Sequence, residues 1–197
     1  MKIAEARQIY HSQIAEYREK QAALTKEKQE LEKKMNADPN GKSIYANEAA
    51  VLELTLEAVN KKQEEYQKYM EQLGLKWAAT ANMVSAKQQG EAAKEYVEDL
   101  GKIMEVARRI MKGDIVPPTD EKKLMEYSME LYQSAKNIGA MVREKEREEH
   151  DSLWEDEEKK EYEDPTEVAD NAQAPSGSPE IVPVAETVAS VEGPAPE

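Results

Sequence analysis

Residues Tyr45 to Val84 read YANEAAVLELTLEAVNKKQEEYQKYMEQLGLKWAATANMV. Taken at alternating steps of four and three they give Tyr45, Ala49, Leu52, Leu56, Val59, Gln63, Tyr66, Met70, Leu73, Trp77, Thr80 and Val84. This is a heptad repeat, with d positions at Tyr45, Leu52, Val59, Tyr66, Leu73 and Thr80 and a positions between them. It predicts a long helix that buries one narrow stripe and therefore needs a partner.

The partner lies upstream. Ile3, Tyr10, Tyr17, Leu24 and Leu31 recur every seven residues, with a weaker a set at Arg7, Ile14, Gln21, Lys28 and Met35. Between the two repeats, Asn36-Ala37-Asp38-Pro39-Asn40-Gly41-Lys42 is rich in turn residues, and Ser43 is placed to cap the helix that follows. A short connection returns a helix antiparallel, and each a residue then shares a layer with a d residue. With the turn centred on Asn40, partners should sum to 80: Met35 with Tyr45, Leu24 with Leu56, Ile14 with Tyr66, Ile3 with Trp77. In this register Tyr17 and Gln63 face each other and can hydrogen-bond, while Arg7 and Lys28 bury only their methylene stems. Residues 1–84, with a turn at 36–43, read as one long helical hairpin.

Past Val84 the pattern lapses around Gly90, which costs a helix about 1 kcal/mol relative to Ala. It resumes in a shifted phase at Ala93, Val97, Leu100, Met104, Ala107 and Met111. Gly113 and the Pro117-Pro118 pair end this helix, and Thr119 or Asp120 is placed to cap the next. Its seam is Leu124, Ser128, Leu131, Ala135, Ile138 and Val142, which meets the preceding helix in a register of sums of 235. Residues 91–147, with a turn at 113–119, read as a second hairpin. It leaves an unused apolar row, Tyr96, Ile103, Ile110, Met125, Met129 and Tyr132, as a candidate interaction surface for a protein partner or a second copy. The methionines at 104, 111, 125, 129 and 141 fit core filling or an adaptable client-binding face.

Composition agrees with rods rather than a large core: 39% of the 197 residues are hydrophobic, 35% are charged, and there is no Phe. The charge is uneven. Residues 148–197 hold two lysines and 16 acids, which accounts for the whole net charge of −14. Six of the nine prolines follow Asp164, and this composition reads as a disordered acidic tail. Within it, Leu153-Trp154 beside an acid cluster suits either a helical anchor for a partner or a cap packed back on the last helix. Glu180 to Glu186 suits an added edge strand or a spacer.

Several functions are argued against. Without cysteine there are no disulfides, thiolate nucleophiles or Cys-ligated metals. His11 and His150 lack a Glu three residues earlier, where Gln8 and Arg147 stand, so the Glu-x-x-His pairs of di-iron bundles are missing. Neither a phosphate loop nor a Gly-x-Ser-x-Gly elbow occurs. The expectation is a non-enzyme with no cofactor, no metal and no small-molecule substrate. Arg108, Arg109, Lys112, Lys122 and Lys123 gather cations at the second turn, but the net charge opposes a polyanion, and helix ends favour such residues anyway. The charged N-terminal stretch does not resemble a signal peptide, and no run reaches the roughly 18 apolar residues of a membrane span. A cytoplasmic location is expected, with signal-less export left open.

Residues Asp120 to Glu146, DEKKLMEYSMELYQSAKNIGAMVREKE, resemble bacterial coiled-coil proteins of the kind labelled viral A-type inclusion protein. The resemblance extends over most of residues 1–160. It implies helical heptads and brings no functional residue with it. The fold expected is all-α: two antiparallel helical hairpins and a disordered acidic tail. The expected function is a scaffold, adaptor or assembly factor acting through protein–protein contacts, homo-oligomeric in form. The alternatives are a chaperone-like factor for a phage or secretion-type assembly and, more remotely, a nucleic-acid-associated protein.

Overall fold

A computed structural model describes residues 1–142, 147–155 and 160–192. Among the described residues all regular structure is helical: α1 (Ile3–Ala37), α2 (Gly41–Ile44), α3 (Ala46–Lys112), α4 (Pro118–Tyr127), α5 (Met129–Met141), α6 (Pro165–Asn171) and α7 (Val184–Glu192). None of these helices is long and apolar enough to cross a membrane. The chain divides into two units, Met1–Val84 with Asp164–Glu197, and Ser85–Glu163, with α3 contributing residues to each. That helix continues through Gly90, where a Cβ would meet open space. The Ala, Gln, Lys and Glu residues around it are good helix formers and carry the ladder past the glycine.

In the first unit the seven-residue repeat is realised as burial, since Ile3, Tyr10, Tyr17, Leu24 and Leu31 are all buried. Opposite them lie Val59, Tyr66 and Leu73, also buried. Lys28 pairs with Glu53 at 3.2 Å, Tyr17 meets Tyr66 edge-on at 5.5 Å, Tyr10 meets Tyr69 at 4.8 Å, and the Arg7 guanidinium lies 5.7 Å from the centre of the Trp77 ring. Numbers fall along α1 as they rise along α3, and these pairs sum to 81, 83, 79 and 84. The two helices are therefore antiparallel, in the neighbourhood of the register read from the heptads. At the tip, Gly41 is buried so closely against Met35 that a Cβ would stand 2.4 Å from the Met35 carbonyl oxygen. Ser43 lies inside α2 rather than capping α3.

Two expectations fail here. Tyr17 does not pair with Gln63: its hydroxyl turns to residues 182 and 187, and Gln63 Oε1 is buried without a hydrogen-bond partner among the described residues. The stretch 148–197 is not a disordered tail where it is described. Asp164 caps α6 by accepting from the Thr166 backbone N–H at 2.8 Å, with Pro165 in the first turn. Residues 172–184 then run along the α1–α3 pair into α7, and Ala172, Ala174, Val184 and Val188 pack on its core. Composition misled because a segment too poor in apolar residues to form its own core can still complete another.

The second unit departs further from expectation. The helix predicted from Asp120 to Arg147 breaks at Ser128, whose extended backbone (φ −158°, ψ 109°) ends α4, and whose Oγ accepts from Leu131 N–H to start α5. Residues 143–146 lie outside the described residues, so the predicted end of this helix does too. Gly139 of α5 is brought against Ile110 of α3, where a Cβ would stand 2.1 Å from the Ile110 carbonyl oxygen. The register of sums of 235 is therefore lost. Val97 and Met104, assigned to the internal seam, are 65% and 53% exposed, and the core is Val106, Ala107, Ile110, Val116, Leu124 and Ala135. Gly113 closes α3 with φ +88°, as its position past the helix end predicts. Neither Thr119 nor Asp120 caps α4: Pro117 holds that position, and Asp120 lies inside the first turn.

Candidate functional site: a tyrosine-lined groove

The heptads put tyrosine at two successive d positions of α1, Tyr10 and Tyr17, and at one of α3, Tyr66, with Tyr69 one turn farther on. All four rings are buried against one another: Tyr10 lies 5.5 Å from Tyr66 and 4.8 Å from Tyr69, and Tyr17 stands edge-on to Tyr66. Tilted and edge-on pairs of this kind add about 0.5–1.5 kcal/mol each beyond area burial. A buried phenol also needs a hydrogen-bond partner, and a seam of apolar side chains supplies none.

The partners come from the C-terminal strap, residues 172–184. Tyr69 donates to the Pro175 carbonyl at 3.0 Å and Tyr10 to the Pro179 carbonyl at 2.6 Å. Tyr66 donates to the Glu180 carbonyl at 3.0 Å and accepts from the Val182 backbone N–H at 2.8 Å. Tyr17 donates to the Val182 carbonyl at 2.9 Å, so the Thr187 hydroxyl 2.6 Å away is the donor in that second bond. The strap meets this ladder mostly through its main chain, with the Ser178 side chain also bonded to Tyr10 and Tyr69, and Thr187 of α7 adds its hydroxyl. Proline fits such a segment, because a residue without an N–H cannot be left with an unsatisfied buried donor.

The start of the strap is tied at the N-terminal end of α1. Ile3 N–H donates to the Ala172 carbonyl at 2.9 Å, Ala174 N–H donates to the Met1 carbonyl at 3.0 Å, and the Trp77 indole donates to Asp170 at 2.7 Å. From there the strap runs parallel to α1 toward the hairpin tip. Beside α7 lies a cleft of about 570 Å³ lined by Leu24, Leu31, Leu52, Thr55 and Val188. Burial pushes the Tyr10, Tyr17 and Tyr69 phenols above the usual value of 10.0; hydrogen bonds with Ser178 at Tyr10 and Tyr69, and with Thr187 at Tyr17, oppose the rise in part.

No family model, curated protein or solved structure matches the chain. Function must therefore be argued from this geometry.

The residues singled out in the sequence fall elsewhere and do not form one surface. Ile110 is core, and Ile103 and Tyr132 pack on that core. Met125 is half-buried, while Tyr96 and Met129 stay exposed. Leu153 and Trp154 are not presented to solvent as a motif. Both are half-buried on the second unit's core, which takes Leu124 and Ala135 from the stretch read as the last helix as well as Val106, Ala107 and Ile110 from α3. The Trp154 indole donates to Asp99 of α3 at 2.9 Å, and Lys123 Nζ lies 4.0 Å from the ring centre. Buried Asp120 holds this plug, accepting from the Ser152 hydroxyl at 2.6 Å and the Leu153 N–H at 3.0 Å. Of the cations at the second turn, Arg108, Arg109, Lys122 and Lys123 are engaged within the unit. Arg108 and then Arg109 hold the Glu105 carboxyl down to about 2, and Lys122 stands 3.7 Å from Glu126.

The groove was missed because the tyrosines were counted as apolar seam residues. The available signal was four phenol hydroxyls in a seam offering no acceptors, together with Asp164-Pro165-Thr166-Glu167, a helix-start signature inside a stretch read as disordered.

Proposed function

We propose that this protein is a non-enzymatic helical adaptor or scaffold, and that its first unit binds extended, proline-containing segments along the tyrosine groove. In this chain the groove holds the protein's own strap, a tethered ligand that a partner's segment displaces. The observation that carries the reading is the hydroxyl ladder, with Tyr10, Tyr17, Tyr66 and Tyr69 all directed at main-chain groups between Pro175 and Val182. Recognition through the main chain specifies an extended conformation and a tolerance for proline more than it specifies side chains. A covalently tethered segment competes intramolecularly, so a partner must bind tightly or act when the strap is loosened.

The test uses the full-length chain with the strap weakened by Val182→Pro and Val184→Asp, which removes the N–H bonded to Tyr66 and one apolar anchor while leaving the groove intact. A labelled peptide of residues 172–192 should bind this variant, measured by fluorescence anisotropy, at least about ten-fold more tightly than it binds wild type. Equal binding to both proteins, or none to either, refutes the reading.

A second reading rests on Tyr96, Val97, Met104 and Met129, which stay exposed on the second unit. Exposed apolar side chains on α3 and α5 suit a helical client or a second copy of the chain, the chaperone-like or self-associating role. Light scattering on the purified protein separates the two. A closed oligomer favours self-association and a monomer favours a client.

A further inference from the structure

Away from the groove, the loop after α3 meets the segment after α5. Ile115 is bridged in parallel to Glu149: its N–H donates to the Glu148 carbonyl at 2.8 Å, and its own carbonyl accepts from the His150 N–H at 3.1 Å. Side chains two apart on an extended segment point the same way, so this bracket sends Glu148 and His150 to the side where Asp114 stands. The result is the one group among the described residues in which three ligating side chains converge: one ligand atom each from Asp114, Glu148 and His150, all within 4.8 Å of one another.

We propose that Asp114, Glu148 and His150 bind a divalent transition-metal ion of the zinc class. His150 Nε2 and Asp114 Oδ2 are 3.2 Å apart. Two ligands at about 2.05 Å from a tetrahedral ion stand about 3.3 Å apart, so this pair already has the separation the ion requires. Electrostatics point the same way. Asp114 is faced by the His150 imidazole and, at longer range, by the Arg108 guanidinium, and a divalent ion would add positive charge placed between Asp114 and Glu148 together. The donor set selects the ion class, because an imidazole nitrogen beside two carboxylates suits zinc, cobalt or nickel better than calcium or magnesium, which take oxygen ligands. Neither Asp114 nor His150 is freely solvated, with side chains 12% and 23% exposed. Glu148 lies on the open side and is exposed, so the site is loaded from that face. The ion would clip the 147–150 segment to the end of α3, with water completing its coordination. Sequence spacing gave no hint, because Asp114 and Glu148 are distant in the chain.

The experiment takes the full-length protein stripped with a chelator and titrates it with zinc by calorimetry and with cobalt by visible absorption. The expected result is one ion per chain at micromolar affinity, with cobalt bands of four- or five-coordinate nitrogen and oxygen ligation. His150→Ala and Asp114→Asn should each weaken binding at least about ten-fold, as should Glu148→Gln, an exposed position whose substitution does not threaten folding. His11→Ala, altering the other histidine, should change nothing. Circular dichroism establishes that each variant is folded. The proposal is overturned if wild type shows no saturable zinc binding, if His11→Ala removes the binding and His150→Ala does not, or if magnesium competes at equal concentration.

Discussion

Replacing Tyr66 with Phe removes one oxygen atom from the first unit and leaves the ring contacts to Tyr10 and Tyr17 in place. That oxygen makes two bonds to the strap, to the Glu180 carbonyl and from the Val182 N–H. A net hydrogen bond contributes about 0.5–1.5 kcal/mol, and a buried group stripped of its partner costs about 1–3 kcal/mol. The loss to strap docking should therefore be about 2–4 kcal/mol. The effect should also be local, because opening the strap returns Glu180 and Val182 to water without separating α1 from α3. Amide hydrogen exchange reads this directly, since it reports opening free energies segment by segment. A loss of about 2 kcal/mol lowers protection roughly thirty-fold over residues 173–182, while core amides of α1 around Tyr17 and of α3 around Val59 should change far less. Unchanged strap protection would refute the claim that the hydroxyl ladder holds the strap. A uniform fall over strap and helices alike would refute the claim that the strap opens independently.

Alkaline titration tests the same phenols from another side. Tyr10, Tyr17 and Tyr69 have folded values raised above 10.0, with burial the largest cause, so the folded state favours the neutral form. The stability they contribute is complete below pH 10 and is lost as pH rises through the raised values. Urea midpoints should hold steady up to about pH 10 and then fall, and absorbance at 295 nm should show these phenols ionising together with strap release. Two glycines give a matched pair for the second unit. Gly139→Ala drives a Cβ into the Ile110 carbonyl and should cost about 1–3 kcal/mol or more. Gly90→Ala, which meets open space within α3, should gain up to about 1 kcal/mol, and denaturant unfolding of both variants checks the signs.

How far the sequence could be read depended on how many elements shared each core. For α1 and the first half of α3, two helices face one another and burial alone sets the period, so Ile3, Tyr10, Tyr17, Leu24 and Leu31 were legible to the residue. In the second unit three features compete for the same helix. The Ser128 break, the Gly139 approach to Ile110 and the Trp154 plug shifted the buried face from Val97 and Met104 to Val106 and Ile110. None of these is a periodic signal. The strap escaped notice for a related reason: its affinity for the groove lies in carbonyl and N–H groups that every sequence has, so its residue types look like those of unstructured chain.

The first unit is discontinuous in the chain, with Ser85–Glu163 placed between its hairpin and its strap. On a ribosome adding about 5–20 residues per second, the hairpin emerges several seconds or more before residues 172–184 can reach it. During that interval the four phenols lack their main-chain partners and the groove is open. Each newly made copy thus passes through a timed window in which a waiting segment from another protein meets no competitor. Slowing translation within Ser85–Glu163 would lengthen the window without changing a single contact in the finished protein.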